Sequence, residues 1–160
     1  MAALDDDGQM TAHGVHTIAA SEKMLIVDLT GEKIRSVPMR DDLELNYIGG
    51  EGAGTRLLWE MVPAGIHPLD PRNTMVFASA PLNGTIFPAG PRGTIVFKSP
   101  ETGTISMSNI GGSWAARLKM AGYALVAVTG KAKKPVYLFI DDDRITIGNA
   151  RSLWGKTIPD

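Results

Sequence analysis

Short apolar runs separated by turn-forming residues occupy most of the chain, a pattern typical of β-strands. The runs at 24–29 and 34–38 are separated by a turn containing Gly31, which predicts a β-hairpin. Similar runs predict six further strands at about 74–79, 94–98, 104–108, 124–128, 136–140 and 144–147. The acidic run 141–143 lies between the last two strands and predicts a solvated hairpin turn rather than a cation site.

Two segments have the three- and four-residue spacing of apolar side chains that is typical of a helix. The first is predicted over residues 51–62 and ends before Pro63. Its apolar stripe consists of Leu57, Leu58, Met61 and Val62. The second is predicted over 114–120, with Ser113 as its cap and Gly122 as its stop. About eight strands and two helices, with strand, turn and strand in succession over 94–108, predict an α+β fold with antiparallel pairing.

Length and composition are those of one globular domain. The chain has 160 residues, of which 44% are hydrophobic and 21% charged, so it can bury a core. Residues 1–21 show no periodicity and predict a flexible extension, which leaves 22–160 as the domain. Sixteen basic residues against seventeen acidic ones lack the positive excess typical of nucleic-acid binding. With no apolar run of membrane-spanning length and no leader pattern, we expect no membrane association and a cytoplasmic protein.

The absence of cysteine limits the chemistry further. It excludes a disulfide, a thiolate zinc site, a cysteine nucleophile and an iron–sulfur cluster held by this chain alone. His13 and His16 are spaced for metal binding but fall in the predicted extension without further ligands, so we favour no metal role for them.

A glycine-rich segment, 49–55, stands where a loop enters the first predicted helix. Backbone N–H groups at such a position can hold a phosphate. However, Thr55 occupies the place of the lysine in a P-loop, and Leu57 that of the third glycine in a dinucleotide fingerprint. We therefore favour close packing of the helix on a sheet as the reason for these glycines.

A second group of candidate binding residues comprises 81–85, Arg92, 98–100 and 108–112. Its glycines would let the backbone approach a flat ligand, while Arg92 and Asn109 would supply polar contacts to an anionic cofactor. The alternative is a solvated Arg92 beside ordinary turn glycines. The residues by themselves leave both interpretations open.

Seven motifs in fixed order resemble the N-terminal domain of the aldehyde ferredoxin oxidoreductase family, and the resemblance covers about residues 24–157. They are Tyr47-Ile-Gly-Gly-Glu-Gly, Pro68-Leu-Asp-Pro-Arg-Asn, Ala80-Pro-Leu-Asn-Gly-Thr, Phe97-Lys-Ser-Pro-Glu-Thr-Gly, Asn109-Ile-Gly-Gly, Leu118-Lys-Met-Ala-Gly-Tyr and Gly130-Lys-Ala-Lys-Lys-Pro-Val-Tyr. The order of many separate motifs makes this resemblance far more specific than any single glycine loop.

The resemblance implies a saddle of antiparallel sheet beneath a tungsten (or molybdenum) ion held by two pterin dithiolenes. Arg92 falls on the arginine near the pterin phosphates. Asn109 falls on the residue whose backbone carbonyl helps to hold the magnesium ion between those phosphates. Gly111 falls on a glycine packed against the pterin, and Gly112 beside it is assigned to the same site. No catalytic residue is assigned to this chain.

The resemblance further implies a role as small subunit or split N-terminal portion of an enzyme that oxidises aldehydes to carboxylic acids and passes the electrons to ferredoxin. A larger cysteine-containing chain would hold the four-iron four-sulfur cluster and share the pterin and magnesium; the alternative partner is a second copy of this chain. The sequence departs from the family pattern at Glu51, and it stops where family members continue the saddle. The competing hypothesis is a non-catalytic scaffold that retains the fold without cofactor.

Overall fold

A computed structural model of the chain describes residues 22–88, 90 and 92–157. The predicted extension, 1–21, with His13 and His16, lies outside the described residues. The described part contains eight strands: β1 Lys23–Asp28, β2 Lys33–Pro38, β3 Met75–Ala78, β4 Gly93–Lys98, β5 Ile105–Ile110, β6 Tyr123–Thr129, β7 Val136–Asp141 and β8 Arg144–Asn149. It also contains three helices: α1 Asp41–Tyr47, α2 Gly50–Met61 and α3 Trp114–Met120.

Six of these strands form one sheet in the order β2-β1-β6-β3-β4-β5, and β7 pairs with β8 in a separate hairpin. Four of the five junctions in the large sheet are antiparallel, whereas β1 and β6 run parallel. The predicted α+β fold with a mainly antiparallel sheet is confirmed. The parallel pair consists of strands that are far apart in the sequence, and local sequence patterns do not specify such a pairing.

Helix α2 packs on one face of the large sheet, and Gly54 is the point of close approach. A Cβ atom on Gly54 would lie 3.2 Å from Val96 Cγ2 and 3.4 Å from Ala78 Cβ, so the missing side chain lets the helix approach the strands closely. Leu57 and Leu58 of the predicted stripe are buried in the same core. Close packing of this helix on the sheet is therefore confirmed at Gly54.

The opposite face is covered by α3 and the β7–β8 hairpin, which pack on Leu25, Val27 and Val126. Ser113 directly precedes α3, as predicted, but its hydroxyl makes no capping bond. Its backbone is already helical, with φ −91° and ψ −1°, whereas a side-chain cap uses an extended backbone. Ser113 Oγ instead accepts a hydrogen bond from Arg117 Nε at 3.4 Å.

Helix α1 was not among the predicted elements. It buries only Leu43, so its sequence lacks an apolar stripe. An ion cluster holds it to α2: the Arg40 guanidinium binds Asp42 at 2.7 Å and also pairs with Glu60. Hydrogen bonds from Arg40 hold the pKa values of both carboxyl groups below their usual range. Tertiary contacts, rather than local periodicity, stabilise this helix.

Tyr123 offers a test of the second core. Its side chain is fully buried, and its hydroxyl has no hydrogen-bond partner among the described residues. A buried polar group without a partner destabilises the folded state, so Tyr123→Phe should raise the free energy of unfolding by up to about 1 kcal/mol. Thermal unfolding followed by circular dichroism measures this change, with the exposed Tyr137→Phe as matched control. A clear loss of stability in Tyr123→Phe alone would contradict the expectation.

Candidate functional site

The register of β4 and β5 brings the predicted site residues together. Gly93 pairs with Ile110 and Thr94 with Asn109. Arg92, just before Gly93, and Gly111, just after Ile110, therefore lie at the same end of the hairpin, opposite its 99–104 turn. We call this end, formed by Arg92, Asn109, Gly111 and Gly112, the open end of the hairpin.

Arg92 has a fixed backbone and an exposed side chain. Its N–H donates to Asn83 Oδ1 at 3.0 Å and to the Gly90 carbonyl oxygen at 2.9 Å. The residue itself is exposed, and its guanidinium has no hydrogen-bond or ion-pair partner among the described residues. An unpaired guanidinium on a fixed backbone can bind an anion without first breaking an internal ion pair.

Asn109 is exposed on the edge strand β5, but its side chain is already engaged. Thr94 Oγ1 donates to Asn109 Oδ1 at 3.1 Å across the strand pair. Thr94 is itself buried, so this bond ties the Asn109 side chain to the sheet. The role that the family resemblance assigns to Asn109 belongs to its backbone carbonyl and does not need the side-chain oxygen.

Gly111 and Gly112 face open space. A Cβ atom on either residue would meet no atom of the described chain within 4 Å. Gly112 has φ +75°, a conformation that favours glycine, whereas the backbone of Gly111 is one that any residue adopts. Neither internal packing nor backbone conformation therefore explains glycine at 111. Space for a group from outside the described chain would explain it.

The structure gives two buried polar residues at this end a role that the sequence did not indicate: Ser79, and Asn83 within the predicted segment 81–85. Asn83 Nδ2 donates to Ser79 Oγ at 3.1 Å and to the Arg92 carbonyl oxygen at 3.3 Å. Ser79 Oγ donates in turn to the Ala115 carbonyl oxygen at 3.1 Å. Asn83 stands in a Gly- and Pro-dense segment, where asparagine is common in exposed turns. Its burial was therefore not recognisable from the sequence.

The remaining candidates lie elsewhere or carry no site. In the acidic run, Asp141 ends β7, and Asp142 and Asp143 form the predicted exposed turn to β8; Asp143 binds Lys23 Nζ at 2.6 Å. An apolar hollow of about 660 Å³, lined by Trp59, Pro63, Lys98 and Ile105, lies at the turn end of the β4–β5 hairpin, away from the open end. Within the described residues there is no cluster of three metal-ligating side chains of the His, Cys, Asp or Glu type.

No helix in the described part of the chain is both long and apolar enough to cross a lipid bilayer.

Comparison with models of protein families identifies the family of this chain. The model for the N-terminal domain of aldehyde ferredoxin oxidoreductase matches residues 24–160. The chain belongs to this family. Tungsten-containing aldehyde ferredoxin oxidoreductase of Pyrococcus furiosus is 38% identical over 136 residues, which are 85% of this chain and 22% of that protein. The chain thus spans about a fifth of the length of the curated relatives it matches.

Other proteins that match most of this chain have different names. The WOR-like subunit of aliphatic sulfonate oxidoreductase from Pyrococcus furiosus is 37% identical over 140 residues, 86% of this chain and 22% of that protein. A solved chain of the BamBC active-site complex of benzoyl coenzyme A reductase, with 1,5-dienoyl-CoA, superposes with a TM-score of 0.83 at 36% identity. That match covers 86% of this chain and 21% of the other.

Tungsten in the names of the relatives implies a tungsten–pterin cofactor in the aldehyde ferredoxin oxidoreductase family. The donor set at the open end fits such a group. An exposed guanidinium with no partner among the described residues suits a pterin phosphate, and open space over Gly111 suits a flat ring system.

Proposed function

We propose that this chain forms one wall of a tungsten-bis-pterin site, as the N-terminal subunit or portion of an oxidoreductase. The observation that carries the proposal is the open end of the β4–β5 hairpin. There the register brings Arg92, whose guanidinium has no partner among the described residues, to the same end of the hairpin as Gly111, where a Cβ atom would meet open space. The four residues assigned from the family resemblance are distributed over 92–112, and the fold collects them at one place.

Each residue at the open end has a role that its geometry permits. Arg92 binds a pterin phosphate, because its guanidinium offers paired donors to phosphate oxygens. The Asn109 backbone carbonyl would offer an oxygen ligand to a magnesium ion bound with the cofactor. Gly111 and Gly112 allow the pterin to lie against the backbone, since neither carries a side chain into that space.

The reaction that we propose is the two-electron oxidation of an aldehyde and water to a carboxylic acid, with release of protons. The bound metal–pterin group supplies the two-electron exchange. Relatives that match this stretch are named for aliphatic sulfonate and benzoyl coenzyme A as well as for aldehydes. A segment common to enzymes of such different names suits a role in holding the cofactor rather than in selecting the substrate.

The same proposal assigns the iron–sulfur cluster, the substrate pocket and the electron exit toward ferredoxin to a larger cysteine-containing partner chain, which shares the pterin and magnesium. This chain has no cysteine with which to hold a cluster. It spans about 22% of the aldehyde ferredoxin oxidoreductase of Pyrococcus furiosus, which is consistent with a cluster and a substrate pocket outside this stretch.

The test is affinity purification of the tagged chain, under exclusion of oxygen, from cells that make it. We expect the eluate to contain tungsten or molybdenum, pterin, iron and a cysteine-containing polypeptide, and to oxidise aldehydes with an artificial electron acceptor. The chain purified alone should lack iron–sulfur absorbance and this activity. A stoichiometric complex that contains no pterin, tungsten or molybdenum would instead support the scaffold hypothesis. Aldehyde-oxidising activity of the chain purified alone would contradict the subunit assignment.

A further inference from the structure

We infer that Asn83 is a positioning residue that holds Arg92 in place for its anionic ligand. The inference rests on the proposed role of Arg92 at a pterin phosphate. Asn83 is only 1% exposed, although most of its neighbours in the segment between β3 and β4 are exposed. Its side-chain amide accepts from the Arg92 N–H at 3.0 Å and donates to the Arg92 carbonyl at 3.3 Å. One amide thus engages both backbone polar groups of Arg92.

The segment that carries Arg92 has little apolar anchoring of its own. Leu82, Ile86 and Phe87 are exposed, with relative accessibilities of 48%, 104% and 56%. Few buried contacts leave a segment free to open locally. The amide of Asn83 therefore provides an anchor that these apolar side chains do not.

That anchor reaches the rigid core by a short chain of hydrogen bonds. Asn83 Nδ2 donates to Ser79 Oγ at 3.1 Å, and Ser79 Oγ donates to the Ala115 carbonyl on α3 at 3.1 Å. Asn83 and Ser79 are both buried, where hydrogen bonds are stronger than in water and unpaired groups are costly. Arg92 is in this way tied to both the end of β3 and the start of α3.

Fixing the backbone of Arg92 matters because its side chain is long and otherwise unrestrained. A binding group whose backbone is held before the ligand arrives loses less conformational freedom on binding. Asn83 bonds only to backbone atoms of residue 92, so alanine at 92 keeps these bonds and removes only the guanidinium. If Asn83 positions the guanidinium, replacing Asn83 should therefore weaken anion binding only when residue 92 is arginine. If Asn83 only supports the fold, the effect should be the same with arginine or alanine at 92.

The experiment is a double-mutant cycle on the full chain with magnesium pyrophosphate as probe. Binding is followed by NMR shifts of the backbone amides at the open end, in wild type, Asn83→Ala, Arg92→Ala and the double variant. We expect Arg92→Ala to weaken binding about tenfold and Asn83→Ala at least threefold, with no further loss in the double variant. The loss of thermal stability caused by Asn83→Ala should be the same with arginine or alanine at 92.

Ser79→Ala serves as a milder second variant if Asn83→Ala does not fold, because it removes only one bond of the Asn83 amide. It should raise the hydrogen-exchange rate of the Arg92 amide and weaken probe binding only while Arg92 is present. Equal loss of binding from Asn83→Ala in both backgrounds, or none in either, would overturn the inference and leave the proposed function intact. Equal binding by wild type and Arg92→Ala would contradict the phosphate role of Arg92 itself, and with it the inference.

Discussion

Replacing Arg92 with alanine in the assembled enzyme is expected to weaken cofactor binding by about tenfold to more than a hundredfold, and therefore to lower the tungsten and pterin that the complex retains. A hydrogen bond to a charged group contributes about 1.5 to 3 kcal/mol, and each 1.4 kcal/mol or so is a tenfold change in affinity. Arg92→Lys should recover only part of the loss, since lysine keeps the charge but not the paired donors. The measurement is tungsten and pterin per complex after dialysis.

The folding of the chain should change little in Arg92→Ala, because the guanidinium has no partner in the described part of the chain. Thermal unfolding of each variant checks this point. Arg117→Ala is the matched control: it removes an exposed arginine on α3 whose guanidinium donates a 3.4 Å hydrogen bond to Ser113 Oγ. Equal metal content in wild type and Arg92→Ala would return Arg92 to the role of a solvated surface residue.

Gly93→Ala is expected to destabilise the chain by about 1 to 3 kcal/mol, the usual cost of overpacking a core. A Cβ atom at 93 would lie 2.8 Å from Trp114 Cζ3 and 2.9 Å from Ala115 Cβ, closer than such atoms approach each other. Trp114 also packs on Phe77, with ring centroids 5.8 Å apart, so the ring cannot simply turn away. The start of α3 would have to move. Thermal unfolding should show a midpoint lower by several degrees, at about 2–4 °C per kcal/mol.

Gly111→Ala is the matched control for Gly93→Ala and also probes the cofactor site. Gly93 pairs with Ile110, and Gly111 directly follows Ile110, but of the two only Gly93 touches a neighbour that a methyl group would displace. Gly111→Ala should leave the unfolding midpoint unchanged or slightly higher. In the assembled enzyme it should nevertheless lower pterin retention. A large stability loss in Gly111→Ala, or none in Gly93→Ala, would contradict the packing described.

Much of the fold could be predicted because apolar runs bounded by turn-forming residues, and the helical spacing of apolar side chains, are signals that are local in sequence. The eight strands and the helices α2 and α3 lie within about two residues of the predicted bounds. The helix α1 could not be predicted, because it is held by a single buried leucine and by the reach of Arg40 to Glu60, 20 residues away. Local periodicity carries no information about such a contact.

The candidate site was likewise predictable in part from the sequence. The identities of Arg92, Asn109 and Gly111 are recognisable from ordered motifs, and the absence of cysteine by itself excludes a self-contained iron–sulfur centre. The convergence of these residues depends on the β4–β5 register, and the anchoring of Arg92 depends on the burial of Asn83. The sequence around an asparagine does not show whether its side chain is exposed in a turn or buried in a core. Only the tertiary structure decided between them, because burial and hydrogen bonding arise from contacts between segments that are distant in the chain.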